Sequence, residues 1–265
     1  MSNTRTLGRT GLTVGRMGIS AGYGVPTAAV ERAFDHGVNY LYWGSRRTDA
    51  FAQAIKNLRA KRESFVLVVQ SYSRVAGLLT WSLERALRKL GLDYADVLLL
   101  GLWNKPVPSG IFDAARAARE RGLVHHLAQS SHKRRMIPTL AAGNDLDVLH
   151  FRYNAAHPGA EQDIFPHLPA SDRPGLVAFT ATSWGQLLKG RKLQPGERVP
   201  SATDCYRFVL SRPEVDVCMS GPSKDEHADA VIEALQRGPL APDEMEWMRK
   251  VGLAVSGKRG PSPTA

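Results

Sequence analysis

Eight short apolar runs alternate with amphipathic stretches along almost the whole chain, and this alternation constrains the fold more than any other feature. The runs begin at Arg16 (RMGIS), Asn39 (NYLYWG), Phe65 (FVLVVQSY), Ala95 (ADVLLLGLW), Leu123 (LVHHLAQSS), Asp147 (DVLHFRYN), Pro174 (PGLVAFTA) and Val215 (VDVCMSG). Each has the length of a β-strand. Successive starts lie 23 to 30 residues apart, except for a last step of 41. Helical periodicity fills the gaps over 27–36, 48–59, 76–90, 109–121, 134–142, 204–212 and 224–237. In 76–90, Leu79, Leu83, Ala86, Leu87 and Leu90 recur at three and four and form one apolar stripe. Gly91, Gly122, Gly143 and Gly238 follow helices and suit left-handed C-caps. The stretch 190–203 reads as a loop insertion that accounts for the long last step.

Strands that alternate with helices pair in parallel, and eight such units in 265 residues fit an α/β protein built as a closed (β/α)8 TIM barrel. An open doubly wound sheet is the rival, but no GxGxxG follows the first strand. Residues 5–14 read as an N-terminal β-hairpin that caps one mouth, and 242–255 as a C-terminal helix. The expected organisation is one domain over 1–257 and a disordered tail over 258–265.

Lys and Arg total 35 against 25 Asp and Glu, a net charge of +10 that favours anionic partners. No aromatic-interleaved basic strip accompanies it, so nucleic acid is not expected as a partner. No apolar run approaches the roughly 18 residues of a membrane span. The N-terminus lacks a signal-peptide core, and the two cysteines, Cys205 and Cys218, are too few for a disulfide framework. The expected setting is the cytoplasm, with reduced thiols. His157 and Glu161 are four apart and read as a surface pair rather than metal ligands.

Several segments carry a resemblance. LGRTGLTVGRMGIS resembles the opening hairpin and first strand of the aldo-keto reductases. GLDYADVLLL is similar to that family's fourth-strand motif, RERGLVHHLAQSS to its fifth-strand signature, and the Tyr153-Asn154 pair to its sixth-strand ending. FVLSRPEVDVCMSG resembles its eighth strand and preceding helix. The resemblance implies NADPH-dependent carbonyl reduction at the C-terminal ends of the strands. There a tyrosine donates a proton, a lysine and an aspartate tune it, and a histidine orients the substrate. None of the four is found here. Tyr42 stands at the aspartate's place, the loop from Ser45 to Thr48 has no tyrosine, Gln70 replaces the lysine and Gly101 the histidine.

The vacated site therefore has to be rebuilt from other residues. Tyr42 is the candidate proton donor, its ring leaning into the space left at Gly101 or merely filling it, with Gln70 as the second catalytic candidate. Trp43, Arg46, Arg47, Trp103, His132, Arg152 and Asn154 are candidates for binding a small, anionic substrate. An inward Arg152 calls for a nearby carboxylate or phosphate. For NADP(H), the resemblance points to Ser130, Ser131, His150 and Phe179 around the nicotinamide. It points to Ser223 and Lys224 at the phosphate end, Ser223 as an N-cap. Three functions fit: a reductase with a remodelled site, a silent ligand- or nucleotide-binding barrel that reports to a protein partner, and a cofactor-independent lyase or isomerase.

Overall fold

In the computed structural model, which describes residues 4–44 and 46–257, the eight apolar runs become the staves of one closed ring. After the hairpin β1 (Thr4–Thr6) and β2 (Thr13–Gly15) come β3 (Met17–Ser20), β4 (Tyr40–Trp43), β5 (Val66–Ser71) and β6 (Ala95–Leu100). They are followed by β7 (Val124–Ser131), β8 (Val148–Arg152), β9 (Gly175–Phe179) and β10 (Val217–Ser220). Each pairs in parallel with its neighbour, and β10 returns to β3. The expected barrel, hairpin and final helix are all present. The tail expected over 258–265 lies outside the described residues.

Helices connect the strands: α1 (Thr27–Asp35), α2 (Asp49–Asn57), α3 (Ala76–Leu90), α4 (Ser109–Glu120), α5 (Ile137–Ala142), α6 (Ala160–Asp163), α7 (Ala202–Leu210) and α8 (Asp225–Arg237). The last helix, α9 (Pro242–Ser256), packs outside the ring. The apolar stripe of α3 is buried at all five expected positions. Thr48 caps α2 by accepting from the Phe51 N–H. Ser201 and Asp204 form a reciprocal capping box on α7. That box starts α7 at Ala202, two residues before the expected Asp204. Gly91 and Gly122 take the left-handed conformation, but Gly143 has φ −84° and does not. The single turn α6 carries too little periodicity to read from sequence.

Two apolar cores follow from the alternation of side chains along each strand. One lies between the ring and the helices and takes Leu41, Trp43, Leu67, Leu98 and Phe151. The other fills the ring and takes Tyr40, Val66, Val68, Val97, Leu99, Val148 and Val177. Leu7 and Val14 of the hairpin belong to this inner core, so the hairpin plugs the N-terminal mouth. The opposite mouth stays open.

One buried charge pins that plugged end. Asp216 is fully buried; it accepts two hydrogen bonds from Arg173 at 2.8 Å, one from the Leu176 N–H at 2.8 Å, and lies 3.5 Å from Arg5. Removing it takes from Arg173 its carboxylate partner and from the buried Leu176 N–H its acceptor. Asp216→Ala is expected to lower stability by about 3–5 kcal/mol, read as the shift in urea midpoint. A second pair fastens α7 to α9. Arg207 and the Ala241 N–H hold the Glu244 carboxyl down to about 2. A depressed carboxyl contributes stability above its unfolded pKa and loses it as pH falls. The stability advantage of wild type over Glu244→Gln should therefore shrink between about pH 4.5 and pH 2, measured by denaturant titration at each pH.

Candidate active site

All eight barrel strands end at one cavity of about 700 Å³. The ring contributes Ser20, Tyr42, Gln70, Leu99, Ser130, His150, Phe179 and the pair Met219–Ser220, at least one residue per strand. Loops complete the rim with Tyr23, Tyr72, Leu102 and Trp184, all exposed. The rim backbone is strained. Leu102, Thr180, Ser183 and Trp184 have φ between +50° and +60°, which side chains other than glycine rarely adopt. Such residues cost about 1–3 kcal/mol each and gather at functional sites.

Two tyrosines shape the floor and wall. Tyr42 is packed over Gly44, where a Cβ would collide with its ring. The space at Gly101 is taken by others: a Cβ there would come within 2.7 Å of Gln70 Nε2 and of the Tyr72 ring. The expected compensation between Tyr42 and Gly101 is thus corrected, because Tyr42 leans on its own strand end and Tyr72 fills the gap. Tyr72 escaped the sequence reading, although it shares a face with Gln70 by simple alternation. Tyr23 and Trp184 carry no comparable signal, since loops bring them in, and Tyr206 reaches the cavity from helix α7.

Burial raises the Tyr42 phenol well above its ordinary value, Arg47 opposes this, and the adjacent Gln70 side chain adds a smaller lowering effect. Gln70 is buried and its Oε1 has no partner among the described residues. His150 is buried, with Nε2 2.9 Å from Tyr40 Oη, and burial pushes its imidazole down to about 3. The Ser130 hydroxyl lines the cavity and accepts from the Leu102 N–H. Phe179 presents a half-buried ring edge-on to His132. Arg46 is the guanidinium on the cavity wall.

Other expected site residues lie elsewhere, for reasons of strand geometry. Adjacent residues on a strand face opposite ways. Tyr42 faces in, so Trp43 faces out, packs on Phe51 and is wall, not ligand platform. Likewise Ser130 faces in, while Ser131 points out and donates to Asn104. Trp103 is buried outside the ring beneath Arg74. Arg47 turns away from the main cavity to donate to the Gly44 and Gln70 carbonyls, at the edge of a second, more open groove of about 330 Å³. Asn154 is consumed by a turn, donating to Thr180 and accepting from His157. Ser223 does not N-cap α8; its hydroxyl meets His227, Lys224 holds the cap position without a side-chain bond, and neither lines the cavity.

His132 and Arg152 stand beside the cavity wall at Phe179 rather than on it. The carboxylate expected next to Arg152 is not found among the described residues. Its titratable neighbours are His132 and Arg134, and Arg134 is already paired with Asp163 at 2.9 Å. Burial, then Arg134, holds Arg152 below its ordinary value; burial, then Arg152, does the same to His132. Both buried cysteines are pushed up by burial and have no role in the cavity. No described helix is long and apolar enough to cross a membrane.

The glycine at 101 should be intolerant because its space is occupied. Gly101→Ala is expected to cost about 1–3 kcal/mol. Part of that cost should vanish in the Tyr72→Ala background, the Gln70 contact keeping the rest, a non-additivity that a double-mutant cycle of unfolding free energies will read.

The fold has relatives of known structure. The chain is similar to the aldo-keto reductase AKR11C1 from Bacillus halodurans in its holo form. The identity is 18%, the match covers 95% of this chain and 96% of that one, and the TM-score is 0.71. It is similar also to an aldo/keto reductase from Klebsiella pneumoniae solved with NADP and acetate, at 19% identity, 95% coverage of both chains and a TM-score of 0.72. At these identities the likeness concerns the fold. The sequence model of the aldo/keto reductase family matches residues 26–204, about two thirds of the chain. With that match, and with a site built where its ring of strands opens, this chain belongs to the aldo/keto reductase family.

Proposed function

We propose that this protein is an NADP(H)-dependent oxidoreductase of the cytoplasm whose remodelled site acts on a small anionic or aromatic carbonyl compound. The observation that carries the reading is the Tyr42 phenol in the wall of an aromatic-rimmed cavity to which all eight strands contribute. The cavity suits a dinucleotide's ring end: Phe179 offers a face, Ser130 a polar wall, and Gly221 a stretch of backbone without a side chain. Ser223 and Lys224 follow Gly221 and Pro222, outside the cavity lining, and would meet the phosphate end. The Klebsiella pneumoniae protein solved with NADP and acetate supports both halves of the reading, cofactor and carboxylate. When bound, the reduced nicotinamide supplies hydride.

The chain's own residues do the rest. Burial keeps Tyr42 protonated, so its Oη–H donates to the substrate oxygen and yields its proton as charge develops there. Gln70 keeps that phenol in place as a neutral neighbour. Arg46 on the wall and the unpaired Arg152 beside it attract a carboxylate. A second reading rests on the same phenol. No lysine lines the cavity among the described residues, and burial holds Tyr42 far above its ordinary value. That combination suits a silent ligand-binding barrel.

Trp184 is exposed on the rim and reports occupancy. NADPH is expected to quench its fluorescence at micromolar concentrations, and Trp184→Phe to remove most of the signal. An unresponsive wild type defeats the cofactor reading. With aldehydes and quinones as substrates, Tyr42→Phe should lower kcat by about 10²- to 10⁴-fold. Binding without turnover in wild type selects the silent barrel, and intact turnover in the variant removes Tyr42 as the acid.

A further inference from the structure

Strand β8, which carries His150, and strand β4, which carries Tyr40, are four apart in a ring of eight, so this hydrogen-bonded pair spans the barrel. Both residues are buried, and the Oη–Nε2 distance is 2.9 Å. Among the described residues it is the one hydrogen bond made by either side chain. Its direction follows from satisfying both partners. If Nε2 carried the hydrogen, the phenol would accept it, and the phenol's own buried proton would find no acceptor. If Tyr40 donates, the phenol is satisfied and the imidazole hydrogen must sit on Nδ1. His150 lines the cavity, Tyr40 beneath it does not, and Nε2 is taken. Nδ1–H is therefore what His150 offers to a ligand. The Tyr42 and His150 ring centres are 6.2 Å apart, which sets this donor beside the proposed acid.

We infer that the Nδ1–H of His150, fixed in that tautomer by Tyr40 from the opposite strand, is the donor that polarises the ligand's carbonyl. The family's carbonyl-orienting histidine would come from β6, where this chain has Gly101; here an imidazole enters from β8 instead. The inference rests on the reductase reading for the fate of the carbonyl, not for the tautomer. In the reduction, hydride adds to the carbonyl carbon, the C=O π pair moves to oxygen, and the Tyr42 proton completes the alcohol. His150 keeps its proton throughout. A neutral donor suits this role, because its bond strengthens as the oxygen gains charge and it has no ground-state charge to desolvate. The low imidazole pKa agrees, and the titratable groups facing the ring are Tyr40 and Tyr42.

Two measurements on the full chain test this. Long-range ¹H–¹⁵N spectra of histidine-labelled protein should show His150 as the Nδ1–H tautomer, unchanged from about pH 5.5 to 8; Tyr40→Phe should abolish the single tautomer. The carbonyl stretch of bound para-nitrobenzaldehyde should move to lower wavenumber in wild type and return part of the way in His150→Phe, the remainder belonging to Tyr42. An Nε2–H tautomer, an unshifted carbonyl in wild type, or a shift undiminished in His150→Phe overturns the inference. Loss of NADPH affinity with unchanged kcat in His150→Phe also overturns it, assigning the residue to the cofactor and leaving the reductase reading intact. Failure of wild type to bind NADPH removes the reductase reading, while the tautomer and the carbonyl shift still decide the role of His150.

Discussion

Closure of the strand ring forces each stave to divide its side chains between two environments, and the site follows from that division. On β4, Tyr40 and Tyr42 turn inward while Leu41 and Trp43 join the helix layer. On β7, Ser130 turns in and Ser131 out. The inner core closes below with the hairpin residues Leu7 and Val14, which leaves the C-terminal mouth as the open end. A barrel strand offers its mouth few inward positions, so a change at one strand end must be absorbed by a neighbour. Gly101 is the clearest case: the volume of a missing side chain is taken up by Tyr72 and Gln70 from the adjacent strand.

The rebuilt site has a distinct electrostatic layout. Its inner groups, Tyr40, Tyr42, Gln70 and His150, are all held neutral, the three titratable ones by burial. Its fixed charges sit at the rim or just behind it, on Arg46 and Arg152. In the proposed function, attraction of an anion and chemistry on a polar bond are thereby separated in depth: the rim would attract charge where water still screens it, and the interior would act through oriented N–H and O–H dipoles, which are strongest where water is excluded. The positive-φ residues Leu102, Thr180, Ser183 and Trp184 gather at this same end of the barrel.

The sequence made much of this legible, and it failed for identifiable reasons. Tyr42, Gln70, Ser130, His150 and Phe179 are strand residues, and alternation brought them to the cavity as expected. The same rule already excluded Trp43 and Ser131, each next to an inward residue, and Tyr72 was available by counting two from Gln70. The loop residues were harder to place. Trp103, Arg47 and Asn154 were expected at the mouth but spend their side chains on packing or on backbone carbonyls. Trp184 and Tyr23 reach the cavity through turns that no periodicity encodes.

Periodicity along the chain was enough to establish eight parallel strands and most of the helices between them, and the resemblance to the family added the mouth expected to carry the site and the absence of its four catalytic groups. These are local properties, set by which face of each strand or helix is apolar. The tertiary structure alone decided that Tyr72 rather than Tyr42 fills the space at Gly101, that Arg152 lacks a described carboxylate partner, and that Tyr40 reaches His150 across the ring. Each depends on a distance between residues 29 to 110 positions apart or on the lack of one, and side-chain volume and hydrogen-bond satisfaction settle such distances only once the ring has closed.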